Sequence, residues 1–154
     1  MRKLVTANVA NHVESPPRWF DIASLATAEL SSEDPAYPFE NALSPSATSW
    51  RALEPGPQTI RLRFDQPIDL RQLRLEFSET KVERSQEFAV VTESQDGARR
   101  EIIRQQWNFT PNDSPTEIED YKVELRDVIC IEVKIDPGRH DRTRLATLDF
   151  IGLR

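Results

Sequence analysis

Apolar residues fall at every second position along much of this chain. Ile60, Leu62 and Phe64 alternate with Arg61 and Arg63, and Leu73, Leu75 and Phe77 alternate with Arg74 and Glu76. A period of two marks a strand with one face buried and one face wet. The same reading predicts strands over 26–31, 58–64, 72–77, 86–94, 100–109, 116–125, 128–136 and 145–153. Turn signals such as Gln95-Asp96-Gly97 and Asp136-Pro137-Gly138 separate them. No segment sustains an apolar period of 3.6 residues. One helical turn is expected over 38–43, with Pro38 at its first position. Short strands at regular spacing predict an all-β protein, an antiparallel β-sandwich of the jelly-roll type.

One predicted strand departs from the usual composition. Residues 99–110, RREIIRQQWNFT, place Ile103, Gln105, Trp107 and Phe109 on one side and Ile102, Arg104, Gln106 and Asn108 on the other. An arginine, two glutamines and an indole stand where a core strand would carry valines. Polar groups in such a strand either find partners or face a ligand. Arg104, Gln105 and Gln106 are expected to tie neighbouring strands to the Arg84-Ser85-Gln86-Glu87 segment, leaving Trp107 and Asn108 as candidate ligand contacts.

The chain's 154 residues suit one domain. We expect an N-terminal arm over 1–18, closed by Ser15-Pro16-Pro17, and a sandwich domain over 19–154 onto which residues 19–22 dock. The net charge is −6, and the basic residues are interleaved with acids, which argues against nucleic acid as a partner. Between residues 14 and 41 one basic residue faces six acidic ones. The single cysteine, Cys130, sits in an apolar run and reads as a small buried hydrophobe. No apolar run approaches the roughly 18 residues of a membrane span. The N-terminus lacks the continuous apolar stretch of a secretory signal, so a cytoplasmic location is the default expectation.

Catalysis has little support in these residues. The two histidines, His12 and His140, lie in the arm and in a loop. No G-x-S-x-G elbow occurs, and four glycines do not make a phosphate-cradling loop. We expect no enzyme activity and no required cofactor. Histidine and cysteine spacing suited to zinc is also missing.

The order of several strings resembles a known family. A polar loop leading into Ser49-Trp50-Arg51, then residues 58–64, is similar to the opening of discoidin domains, also called coagulation factor type C domains. Residues 87–97, EFAVVTESQDG, resemble their F-x-V-x-x-S-x-D-G strand and hairpin, and 128–135 and 145–153 resemble their last two strands. The strings RSQEF, REIIRQQWNF and EIEDY are also similar to bacterial single-domain proteins labelled carbohydrate-binding. Two departures stand out: Asn41-Ala42 replaces an aspartate-glycine pair, and Val128-Ile129-Cys130 replaces Ala-Arg-Tyr.

The resemblance implies a galactose-binding-like jelly roll that binds carbohydrate through loops at one end, by aromatic stacking and planar hydrogen bonding. By loop position it points to Tyr37, Trp50, Arg51, Arg84, Trp107, Asn108 and His140. It also implies a structural Ca²⁺ at positions matching Asn41, Thr48 and Asp149, with Glu40 as a further carboxylate. The residues themselves leave alternatives open. Trp50 and Trp107 can equally be core packing. Arg51 and Arg84 can pair with Glu79 or Glu83, Asn41 can cap a turn, and Asp149 can pair with an arginine. The rival to sugar binding is a protein-interaction module using the Arg- and Trp-bearing strand.

Overall fold

The computed structural model describes residues 18–45 and 48–154. The expected arm, including His12, falls outside the described residues except for Arg18, which is exposed.

Eight strands are present among the described residues. They are β1 (Ala26–Leu30), β2 (Trp50–Arg51), β3 (Gln58–Ser78), β4 (Arg84–Ser94), β5 (Arg99–Phe109), β6 (Thr116–Asp136), β7 (Thr147–Leu148) and β8 (Phe150–Leu153). A one-turn helix, α1 (Ile22–Leu25), precedes β1. A 3-10 turn over Phe39–Ala42 replaces the expected helical turn; Pro38 caps it rather than opening it.

Two predicted pairs of strands are single long strands. Residues 58–64 and 72–77 were expected apart, yet β3 runs through both and through Asp65-Gln66-Pro67 between them. Residues 116–125 and 128–136 likewise form one strand, β6. The two stay antiparallel across the interruption, with register shifts between Arg63/Ile68, Ile68/Leu70 and Leu70/Gln72. Bulges let a ladder absorb extra residues and bend sharply, and they tolerate a proline.

That bend builds the sandwich. The first half of β3 lies between β1 and the second half of β6, which continues to β4 and then β5. The second half of β3 lies between β8 and the first half of β6. Both ends of β3 therefore emerge at one end of the sandwich, and the bend forms the other. Predicted strand 145–153 is broken at Asp149, because β7 pairs with β2 whereas β8 pairs with β3. The two-residue strand β2 has no alternation for sequence reasoning to detect.

The core is the sum of the inward positions, with Ile60, Leu62, Leu75, Phe77, Phe88, Val90, Ile131 and Val133 at its centre. The chain start docks as expected. Trp19 packs edge-on against Phe150 with ring centroids 5.7 Å apart, and the Phe20 N–H donates to the Leu153 carbonyl at 2.7 Å. Gly152 makes this approach feasible, since a Cβ there would lie 2.7 Å from the Trp19 ring.

The outer face of the five-stranded layer is a lattice of ion pairs. Glu132 is buried on it between Arg61 at 2.5 Å and Arg99 at 3.0 Å, and these guanidiniums, Arg99 first, hold its carboxyl below the usual range. Cys130 pairs with Arg63 on this face and is buried beneath the charges. Its thiol is pushed up, chiefly by burial.

Candidate functional site

Three loops meet at the end where β3 and β6 terminate: 79–83, 110–115 and 137–146. Backbone bonds fasten them. Glu79 N–H donates to the Pro115 carbonyl at 2.8 Å, and Arg139 N–H donates to the Ser85 carbonyl at 3.0 Å. The third loop closes tightly on itself at Gly138, where a Cβ would meet the Asp141 carbonyl at 2.4 Å and the Arg144 side chain at 2.7 Å. Within it, Asp141 Oδ1 accepts from the Thr143 N–H at 3.0 Å and hydroxyl at 2.6 Å, which holds the Asp141 carboxyl below its ordinary range.

Arg84 organises this end. It is the first residue of β4, and its side chain is only 3% exposed. Its Nε donates to Glu79 Oε1 at 2.7 Å, and its Nη1 donates to Gln86 Oε1 and the Pro137 carbonyl, each at 2.9 Å. The guanidinium carbon stands 4.5 Å over the Phe109 ring. Loops 79–83 and 137–146 and strand β5 are thereby clamped to one cation. Arg84 is thus ion-paired to Glu79, one of the two acids expected for it. Most of its donors face inward, so it forms the floor of the site rather than a free hydrogen-bonding arm.

Above that floor is an open cleft of about 370 Å³ bordered by Asn108, His140, Glu83, Phe109, Thr110 and Asp141. Three of the seven expected contacts, Arg84, Asn108 and His140, come together here. Asn108 Oδ1 accepts from Ser85 Oγ at 2.9 Å, which leaves the amide nitrogen to donate outward. His140 is exposed at the loop tip. A neighbouring cleft of about 400 Å³ shares Arg84 and Arg144 and adds Arg51 and Asp149.

The other expected contacts lie elsewhere. Trp50 is fully buried, so it is core and not a sugar plate. Burying an indole removes on the order of 200 Å² from water, about 5 kcal/mol, which outweighs the roughly 1–3 kcal/mol cost of its unpartnered Nε1. Trp107 packs against the core with its Nε1 buried, opposite Gln86 on β4, and does not border the cleft. Tyr37 carries the Arg51 guanidinium 4.1 Å above its ring and stands outside both clefts. Aromatic stacking by the expected residues is thus not available at this end. Glu83, Asp141 and Thr110 border the cleft without having been singled out as contacts. Only the compact Asp141-Arg142-Thr143 turn gave a sequence signal for them.

Beneath the site a chain of buried polar groups continues into the sandwich. Gln86 Nε2 donates to Glu117 Oε1 at 3.2 Å, and the Tyr121 hydroxyl donates to Glu119 Oε2 at 2.5 Å. Glu117 is fully buried, and its Oε2 has no hydrogen-bond partner among the described residues. Burial, then the neighbouring Glu119, push the Glu117 carboxyl up to about 8. The Glu117 carboxyl is thereby held toward its neutral form. Tyr121 is pushed up to about 12, by burial first and Glu119 next.

On the face of β5 that carries Asn108, Arg104 and Gln106 make part of the expected tying network at the surface, whereas Gln105 stands on the Trp107 side and takes no part in it. Arg104 pairs with Glu101 and Glu87, and Gln106 donates to Ser85 Oγ at 3.1 Å and accepts from Arg139. These groups are engaged within the chain, which leaves that strand a poorer protein interface than its composition suggests.

For the metal positions, Asn41 Nδ2 donates to the Ser49 carbonyl at 3.1 Å. Asp149 is held above the usual carboxylate range, by burial first and then by Glu76, with a Ser78 hydrogen bond acting the other way. It pairs with that hydroxyl and not, as one reading expected, with an arginine. No group of three or more His, Cys, Asp and Glu side chains suited to a metal occurs among the described residues.

No protein-family model matches the sequence, and no curated protein matches it. Solved structures do. The CpGH89CBM32-4 module of Clostridium perfringens superposes with a TM-score of 0.61 at 15% identity, over 88% of this chain and 98% of that one. The family 32 carbohydrate-binding module of C. perfringens NanJ, solved with galactose, gives 0.59 at 12% identity over 88% and 97%. A Ruminococcus gnavus GH29 fucosidase in complex with fucose gives 0.64 at 12% identity, over 97% of this chain and 29% of that one. This chain has the galactose-binding-like jelly-roll fold of the family 32 carbohydrate-binding modules.

Proposed function

We propose that this protein is a non-catalytic module that binds a neutral sugar in the cleft of Asn108 and His140 above Arg84. The observation that supports this most directly is the convergence of Arg84, Asn108 and His140 on one cleft at the loop end. The fold is that of modules of which one was solved with galactose. An outward amide donor, an imidazole and the carboxylates of Glu83 and Asp141 supply the alternating donors and acceptors that sugar hydroxyls need. With no exposed aromatic plate, the contacts are mainly hydrogen bonds, and weak affinity is expected. Calorimetry with galactose, fucose and a panel of hexoses tests the reading. Asn108→Ala with His140→Ala should weaken binding at least tenfold, without lowering the melting temperature. Failure of every sugar to bind, alongside stable self-association, would favour the protein-interaction reading instead.

We propose that the positions of Asn41 and Asp149 hold no Ca²⁺. The Asn41 amide donates to the Ser49 carbonyl, and the expected set offers only two carboxylates, Asp149 and Glu40. Ca²⁺ prefers six to eight oxygens including carboxylates, so this donor set fits it poorly. Adding EDTA is expected to leave the melting temperature unchanged. A fall of several degrees, reversed by Ca²⁺, would contradict this.

A further inference from the structure

We propose a second ligand site, for an anion carrying two or more carboxylate or phosphate groups, at the bend end of the sandwich. A concavity of about 740 Å³ lies there, and Arg71, Lys122, Arg126 and Arg154 border it together with Asp69 and Glu124. Its volume falls in the roughly 300–1,000 Å³ range of ligand pockets. Leu70 and Leu125 give it an apolar wall.

The charges here contrast with those of most arginines elsewhere, although Arg18, Arg51, Lys81, Arg100, Lys134 and Arg142 also stand without an ion pair among the described residues. Arg61, Arg63, Arg74, Arg84, Arg99, Arg104, Arg139 and Arg144 are each ion-paired to a carboxylate. None of the four cations at the bend has a carboxylate partner among the described residues. Of the two acids, Asp69 is engaged, its Oδ1 accepting from the Asp127 N–H at 3.0 Å. A protein of net charge −6 thus gathers unneutralised cations in one cleft, which focuses field on whatever enters it. Three guanidiniums favour carboxylate or phosphate, whose paired oxygens match their planar forks.

The backbone at this cleft is also specialised. Between Ile68↔Val128, Leu70↔Leu125 and Gln72↔Lys122, β6 advances three residues for every two of β3. Each slip is a bulge, a device that opens a ladder and re-aims side chains. Asp127, inside the second bulge, is left-handed with φ 52°, which is uncommon for a residue other than glycine. Its N–H is held by Asp69, so the conformation is built in. The site is separate from the sugar cleft. β4 begins at Arg84 and ends at Ser94, next to Gln95, whose N–H donates to the Asp127 carbonyl at 2.8 Å. Ten strand steps put the two clefts roughly 33 Å apart.

Calorimetry on the full chain with oligogalacturonate, its methyl-esterified form and inorganic pyrophosphate tests the proposal. At least one of the two anions should bind, more weakly as NaCl rises, and the neutral ester should not. Binding of oligogalacturonate alone would assign glycan carboxylates, and of pyrophosphate alone phosphates. Arg71→Gln with Arg126→Gln should weaken binding at least tenfold. Arg100→Gln with Lys134→Gln, which removes the same charge elsewhere, should leave it unchanged. The proposal is overturned if neither anion binds, if the ester binds as well as the acid, or if both double variants weaken binding equally. None of these outcomes bears on galactose at the other end.

Discussion

Arg84→Ala is expected to lower the melting temperature by about 10 °C. Removing one partner of a buried ion pair costs about 3–5 kcal/mol, and 1 kcal/mol is worth about 2–4 °C in a chain of this size. The loss is large because one side chain serves three elements. Glu79 loses its cation, Gln86 Oε1 and the Pro137 carbonyl lose a buried donor, and the Phe109 ring loses its covering charge. Arg84→Lys should recover only part of the stability, since an ammonium cannot reproduce the planar fork. Because loops 79–83 and 137–146 are both fastened to this guanidinium, sugar affinity should fall in parallel. Thermal melts of the three proteins decide the matter. A drop of less than about 2 °C for the alanine variant would mean that the clamp contributes little.

Glu117→Gln should stabilise the protein, and by an amount that depends on pH. In the unfolded chain Glu117 titrates near the ordinary value of roughly 4.3, whereas in the folded protein its carboxyl is pushed up to about 8. The folded state therefore binds an extra proton between these values. This contribution to stability is complete below the unfolded value, falls as pH rises through the window, and levels off above about 8. Glutamine keeps the bond from Gln86 and offers Glu119 an amide donor in place of the acid's hydroxyl, without titrating. The variant should match the native protein near pH 4 and exceed it by up to about 5 kcal/mol near pH 9. Urea unfolding at both values measures the difference. Equal gaps at the two pH values would show that Glu117 does not hold its proton on folding.

The strand pattern was legible because alternation is local. Ile60, Leu62, Leu75 and Phe77 face the core where a period of two puts them, and Gln95-Asp96-Gly97 makes its turn. What was not legible depends on pairing partners. Asp65-Gln66-Pro67 has the chemistry of a turn, and only the ladder with β6 shows that the strand passes through it. Trp50 illustrates the same limit at the site. A tryptophan before an arginine in a loop reads as core or as plate, and its complete burial, paired with Leu148, decides for core. Asn108 and His140 were legible as polar candidates, but their meeting over Arg84 depends on a strand and a loop far apart in sequence. The anion cleft gave no linear signal, since its cations come from three separate segments.

The reading of the loop end as a sugar site is tested most directly by ¹⁵N-resolved NMR during titration with galactose. Amide shifts should move at Ser85, Asn108, Gly138, His140 and Asp141, saturate together, and vanish in the Asn108→Ala, His140→Ala protein. Shifts confined to other surfaces, or none at saturating galactose and fucose, would contradict the account.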